Sequence, residues 1–313
     1  MNPHWDTPPQ YPLDQQSLAP APMSETRPMY WSVRRELWEN RSIYIAPLIV
    51  AAFVLFASAL STIGLPRRMR NLPTLDPARR HAAVVMPYSM APAPIMLATF
   101  IVGIFYCLDA LNGERRDRSI LFWKSLPVSD RTTVLSKASI PLLVLPLIAF
   151  ALSVVTQVIL LLLSTMVLVG NGVSPATLWA EFQFFQGLLI MLYGLTVHAL
   201  WFAPIYGWLL LVSAWARRAP VLWAVLPLLA VSAVERIAFN TWLFMSMLQY
   251  RVTGAMAEAF AFKGKGGGDG NIDRLSQLDP AKFLSAPGLW VGLAFAVAFL
   301  AAAVRLRRNR EPI

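Results

Sequence analysis

Residues 140–169 read IPLLVLPLIAFALSVVTQVILLLLSTMVLV, with no charged side chain and a single carboxamide, Gln157. A helix rises 1.5 Å per residue, so this run is longer than a hydrocarbon core of about 30 Å requires. It must tilt or project beyond the bilayer. Pro141 and Pro146 sit at its start and predict a bend there.

Five more stretches read the same way: Ile43–Ile63, Ala93–Leu111, Gly187–Ala214, Val221–Ala233 and Leu289–Val304. Together they predict an all-α polytopic membrane protein with six transmembrane helices. Alternating segments of about ten residues, the signature of a membrane barrel, are missing. The fifth stretch is the least regular. Glu235 and Arg236 interrupt it and Ile237–Leu248 is apolar again, so it is either one long helix or a helix followed by a re-entrant piece.

Composition agrees. The chain is 57% hydrophobic and 14% charged, against about 25% charged in soluble domains. The net charge of +10 would point to nucleic acid in a soluble protein. Here the basic residues lie between apolar runs, where the positive-inside rule and anionic headgroups account for them. Six spans put both termini on one side. That side collects 16 Lys and Arg against 11 on the other, which predicts cytoplasmic termini. Cys107 is the single cysteine; it excludes an intrachain disulfide and reads as a small buried apolar residue.

The expected organisation follows. Residues 1–28 form a polar, proline-rich cytoplasmic tail without the features of a secretory signal, expected to be disordered. Residues 29–42 form an amphipathic interfacial helix, 43–305 the six-span domain, and 306–313 a basic tail. Within the domain, 112–137 is a cytoplasmic loop and 246–287 an outer loop holding the flexible stretch Gly264–Asn271. Trp179, Phe182 and Phe185 suit an interfacial aromatic belt.

Three sets of residues are candidates for function. On the helix over 29–42, Met29, Tyr30, Val33, Leu37 and Trp38 share one side, and Ser32, Arg35, Glu36 and Glu39 the other. Such a helix lies in the headgroup plane, with Trp31 and Trp38 at the interface and Arg34, Arg35 and Arg41 beside them. It is either an anchor or also a surface for a cytoplasmic partner. The second set is the loop NGERRDRSILFWKSLPVSDRTTVLSK, residues 112–137. The charges Glu114, Arg115, Arg116, Asp117 and Arg118 come first, then a short apolar helix with Ile120, Phe122, Trp123, Lys124, Leu126 and the terminating Pro127. Ser129 is placed to cap a second helix with Asp130 in its first turn and Lys137 near its last. A plain connector needs only a few residues, so this hairpin is read as a partner-binding face, with interfacial packing as the alternative. The third set, Asp109, Gln157, His198, Glu235 and Arg236, is polar and lies in or near the spans. Such groups are often functional; a local hydrogen bond or an interfacial place is the simpler reading, and Glu235 and Arg236 are also candidates to pair with each other or to bind an outer partner.

The segment Leu108–Ser119 (LDALNGERRDRS), followed by Leu126-Pro127-Val128-Ser129 and Ser136-Lys137, resembles the ABC-2 type transporter permease family. The resemblance runs from about Trp31 to the C-terminus, and this loop is its most specific part. It implies a permease subunit of a bacterial inner-membrane transporter, an exporter by the commoner direction, that dimerises with itself or a related permease. It implies a separate ATP-binding subunit that holds ATP and Mg, contacted by a coupling helix in this loop, which puts Glu114–Arg118 and Ser119–Pro127 at that contact. The chain itself has no GxxxxGK[ST] phosphate loop, HExxH helix or GxSxG elbow. Its histidines, His4, His81 and His198, are too scattered to predict a metal site. No catalytic residue or bound cofactor is expected in this chain. The rival reading is a non-transporting scaffold or sensor subunit that docks a cytoplasmic partner through the same loop.

Overall fold

The computed structural model describes residues 26–74, 76–119, 128–261, 272 and 274–309. Helix α1 (Thr26–Glu39) is followed by α2 (Ser42–Thr62), α3 (Leu65–Asn71), α4 (Pro77–Ser89), α5 (Pro92–Ala110) and α6 (Asn112–Arg116). After the 120–127 segment come α7 (Asp130–Ser139), α8 (Leu145–Gly170), α9 (Ala176–Glu181), α10 (Phe184–Trp215), α11 (Pro220–Phe239), α12 (Leu243–Ala259), α13 (Pro280–Ser285) and α14 (Pro287–Asn309). Among the described residues there is no multi-residue strand. The tail up to residue 25, the stretch expected to form an apolar helix with Phe122, Trp123, Lys124, Leu126 and Pro127, and the stretch Gly264–Asn271 lie outside the described residues.

Six helical stretches are long and apolar enough to cross a membrane: Ser42–Thr62, Arg79–Arg116, Asp130–Gly170, Ala176–Trp215, Pro220–Phe239 and Pro287–Asn309. All six expected spans fall within them. The excess length of the third is real, and its bend has a defined form. Pro141 has no N–H to give the helix, and Ile140–Val144 widens into a π-turn between α7 and α8. Ser129 caps α7, its hydroxyl accepting the Thr132 N–H at 3.1 Å, with Asp130 and Lys137 at the two ends as expected.

Other expectations change. The fifth stretch is not one long helix; of the two expectations, the interrupted one fits, with a second helix after a break. Asn240 adopts a left-handed conformation (φ 54°) and ends α11; asparagine tolerates that geometry better than most residues. The chain then restarts as α12, so the outer loop begins inside a helix. The first outer connection carries two helices, α3 and α4. The amphipathic helix starts earlier than expected and stops at Glu39, with Asn40 and Arg41 separating it from α2.

Arg35 of α1 and Arg307 in the last turn of α14 both reach Glu114, so these two helices meet at the same end of the bundle. Tyr106, Cys107, Leu145, Tyr206 and Leu210 lie in the central core. The far half is filled around Tyr88, Leu161, Leu168 and Phe182. Outward surfaces are apolar: Phe53, Phe56, Met166 and Ile237 are exposed. In a water-soluble fold so much contiguous apolar surface would be an aggregation hazard; here it matches a lipid environment. Helix α11 buries only Ala224 and Ser232, so nearly all of its side-chain surface is left for lipid or another apolar surface.

The most extensive helix–helix contact is between α10 and α14. A Cβ built on Gly207 would lie 3.3 Å from the Ala296 carbonyl and 3.4 Å from Phe299 Cβ. The glycine lets the two backbones approach, as small residues do between membrane helices. Gly207→Leu is therefore expected to overpack this contact and cost about 1–3 kcal/mol, read as a lower melting temperature of the purified protein.

Candidate functional site

At the end where α1 and α14 meet, four segments bring charge into the protein interior. Helix α1 supplies Arg35 and Glu36, α6 supplies Glu114, α7 supplies Asp130 and Lys137, and α14 supplies Arg307. Glu36, Glu114, Lys137 and Arg307 are all buried. Lysine and glutamate are almost never fully buried unless paired, and here each is.

Glu114 is the hub. One carboxylate oxygen accepts from Arg35 Nη2 at 2.7 Å and lies 3.2 Å from Lys137 Nζ. The other accepts from Arg307 Nη2 at 2.9 Å. Lys137 also donates to Glu36 at 2.9 Å. Glu36 accepts a further bond from the Tyr106 hydroxyl at 2.8 Å. Arg307 reaches past Glu114 and donates to Asp130 as well. Three cations (Arg35, Lys137, Arg307) face three anions (Glu36, Glu114, Asp130), and the more exposed Glu39 also pairs with Arg35 at 3.0 Å. Burial works to lower the Arg35 pKa, but Glu36, Glu114 and Glu39 beside it raise it above its ordinary value.

The neighbouring backbone is tied in too. Ser213 Oγ accepts the N–H groups of Leu111 and Asn112 at 3.0 and 2.9 Å, which satisfies two donors where α5 gives way to α6. Arg115 donates to the carbonyls of Ala214 and Ala216 at 2.9 and 3.2 Å, at the end of α10. Those carbonyls have no intrahelical partner, and a cation suits a helix C-terminus.

The expected partner face Glu114–Arg118 is therefore divided. Glu114 and Arg115 point inward and are occupied by this chain, a correction to their placement on a docking surface. Arg116 and Asp117 are exposed; Arg118 follows with a positive φ of 57°, which turns the chain out of α6 towards residues 120–127. Arg116 also lies 3.6 Å from Asp109, so Asp109 sits in an exposed ion pair at the helix end.

The interfacial helix is corrected in the same sense. Its polar residues Arg35 and Glu36 face the protein, because Glu114 and Lys137 wait there. Tyr30, Trp31 and Trp38 are exposed instead. Arg34 stacks between two of them, 5.2 Å from the Trp31 ring centroid and 4.6 Å from that of Trp38. An exposed aromatic–arginine face of this kind suits the headgroup region. Of the expected aromatic belt, Trp179 and Phe185 are exposed, but Phe182 is buried against Tyr88. The basic tail begins later than expected, since α14 continues to Asn309 and buries Arg307.

The remaining polar residues make local bonds. Gln157 donates to the Tyr88 carbonyl at 3.2 Å. His198 Nε2 lies 3.0 Å from the Tyr206 hydroxyl. Glu235 caps α12, accepting the Leu243 and Phe244 N–H groups and the Thr241 hydroxyl. Arg236 donates to the Asn240 carbonyl at 3.0 Å and sits over the Trp242 ring. Glu235 and Arg236 are thus each engaged by their own turn. Among the described residues no three His, Cys, Asp or Glu side chains come together to hold a metal ion.

No family model, curated protein or solved structure matches the chain.

Sequence reading missed the junction as a unit. Glu36 looked like one residue of a solvent face, Lys137 like a helix-end charge and Arg307 like part of a tail. The available signal was weak: opposite charges recur at the same membrane edge of four separate segments. Removing one member of a buried pair strands the others. Glu114→Gln is expected to cost about 3–5 kcal/mol, whereas Arg116→Ala should leave the melting temperature unchanged. Thermal unfolding of both variants in one detergent checks the contrast.

Proposed function

We propose that this chain is the permease subunit of an ATP-driven transporter, working in export, as a dimer with separate ATP-binding subunits. The observation that carries the reading is the position of the charged junction. It lies at the root of the connection between the second and third crossings, the stretch whose sequence resembles the coupling region of ABC-2 type permeases. Glu114 and Arg115 fix the near side of this connection to α1, α10 and α14, and Lys137 and Asp130 fix its far side. A push on this connection therefore meets an anchor at each end, at Glu114 and Arg115 on one side and at Asp130 and Lys137 on the other. It reaches four helices through ion pairs rather than through one flexible hinge, which suits a rigid-body switch between access states.

In this reading the partner supplies ATP and Mg, and this chain supplies the pathway. Arg116, Asp117 and Arg118 form the exposed approach to the contact, with Phe122, Trp123, Lys124, Leu126 and Pro127 at its centre. The excess of Lys and Arg on the junction side, 16 against 11, supports a cytoplasmic position for that side and both termini. The membrane is then the bacterial plasma membrane.

Purification from native membranes, with identification of the bound chains and an ATPase assay, tests this. An ATP-binding subunit should co-purify in stoichiometric amount. Arg116→Glu combined with Arg118→Glu should lower transport-coupled ATP hydrolysis about tenfold or more without changing the melting temperature. An intact, folded protein with no ATP-binding partner would replace this reading with the scaffold or sensor one.

A further inference from the structure

At the end of the bundle opposite the ion-pair junction, α4, α5, α10 and α12 leave a partly open cavity of about 1070 Å³. Ligand sites of drug size occupy about 300–1,000 Å³, so this space is large enough for a whole small molecule. Its floor is aromatic: Phe100 and Phe202 lie 5.2 Å apart, with the His198 ring 4.9 Å from Phe202. Its walls hold Met96, Met191 and Met256, flexible side chains that adapt to irregular apolar shapes. Towards the far end the lining becomes polar, with Gln183, Gln186 and the His81–Glu181 pair at 2.8 Å.

Two glycines decide what the space is for. Gly187 and Gly194 are seven residues apart on α10, which puts them on one face, and both line the cavity. Among the described residues, a Cβ built at either would meet nothing within 4 Å. Glycine inside a helix costs about 1 kcal/mol relative to alanine. At Gly103 and Gly207 close packing offsets that cost, with neighbours at 3.2 and 3.3 Å. At Gly187 and Gly194 no neighbour among the described residues does. They leave a smooth strip along the wall, running from the polar end towards the aromatic floor.

Charge defines the occupant further. Among the described residues, the ionisable lining groups are His81, Glu181, His198 and Arg274. The first two pair with each other, and His198 meets Tyr206. Arg274 is exposed and has interactions of its own. Among the described residues, no uncommitted charge lies deep in the cavity to reward an ionic ligand, and a lone charge there would be costly to desolvate. Carboxamides suit hydroxyl groups, which both donate and accept.

We propose that this cavity binds a slender amphiphile with an uncharged, hydroxyl-bearing head. The head lies at Gln183, Gln186 and the His81–Glu181 pair. The apolar chain runs along Gly187 and Gly194 to Phe100 and Phe202. The site stands on the helix bundle alone and needs no nucleotide-binding partner, so its failure would leave the transporter reading untouched.

The test uses the full chain in phosphatidylcholine nanodiscs without nucleotide. The probe is monomyristoylglycerol carrying a photoreactive diazirine at its chain end, with labelled residues mapped by mass spectrometry. Labelling should be saturable, centred on Met96, Phe100 and Phe202, and competed by plain monomyristoylglycerol at least about tenfold better than by myristate or myristylamine. Gly194→Leu should lower saturable labelling about tenfold or more while keeping or raising the melting temperature. Gly187→Leu is the second variant, should the first fail to fold. Non-saturable labelling, or labelling unchanged in a folded glycine variant, would mean bilayer lipid only and overturn the site. Equal competition by the charged analogues would overturn the assignment of the head.

Discussion

Glu114 accepts from Arg35 and Arg307 and lies within ion-pair distance of Lys137, and the near-membrane architecture at its end of the bundle depends on that sharing. A carboxylate taken out of water is expensive, and it persists only if its partners are held in place. Those partners come from α1, α7 and α14, elements spread from near the start of the described chain to its end. The ion pairs therefore do more than offset burial. They fix the angle at which the interfacial helix enters, the start of the third crossing and the end of the last one. Hydrophobic burial alone would not set these positions, because lipid tails are as apolar as the helix surfaces they cover.

The junction also separates two kinds of charge in the loop sequence. Glu114 and Arg115 are structural and inward. Arg116 and Asp117 are exposed, and their mutual contact is of the kind that contributes little to stability. Five consecutive charged residues thus divide into an anchoring pair and an outward approach to residues 120–127. The outward pair is exposed and free of the buried cluster, while the anchoring pair is bonded to α1, α10 and α14.

The spans were legible in the sequence because lipid imposes a simple rule: a crossing needs about twenty apolar residues. All six were found, and so were the Ser129 cap and the disturbance at Pro141. The break at Asn240 was foreseen only as an option, since Ile237–Leu248 stays apolar on both sides of it. The junction was not legible, for a physical reason. Arg35 and Glu36 look like a water-facing stripe until Glu114, 79 residues from Arg35, is known to sit opposite. Side-chain amphipathicity identifies a polar face; it does not say whether water or a distant counter-ion covers that face. The far cavity was hidden similarly. His198 and Gln157 were singled out as polar groups, whereas the informative residues are Gly187 and Gly194, whose spacing has meaning only once the two are known to line a cavity with no described neighbour within 4 Å of a Cβ at either.

The central claim is that Glu114 and Arg307 act as one coupled unit linking the loop root to the last helix. A double-mutant cycle on Glu114→Gln and Arg307→Gln, with unfolding followed in one lipid–detergent mixture, measures this most directly. The account predicts a coupling energy of roughly 1–3 kcal/mol, the double variant losing clearly less than the two single losses together. Additive losses would show that the two residues act independently and would contradict the junction as described.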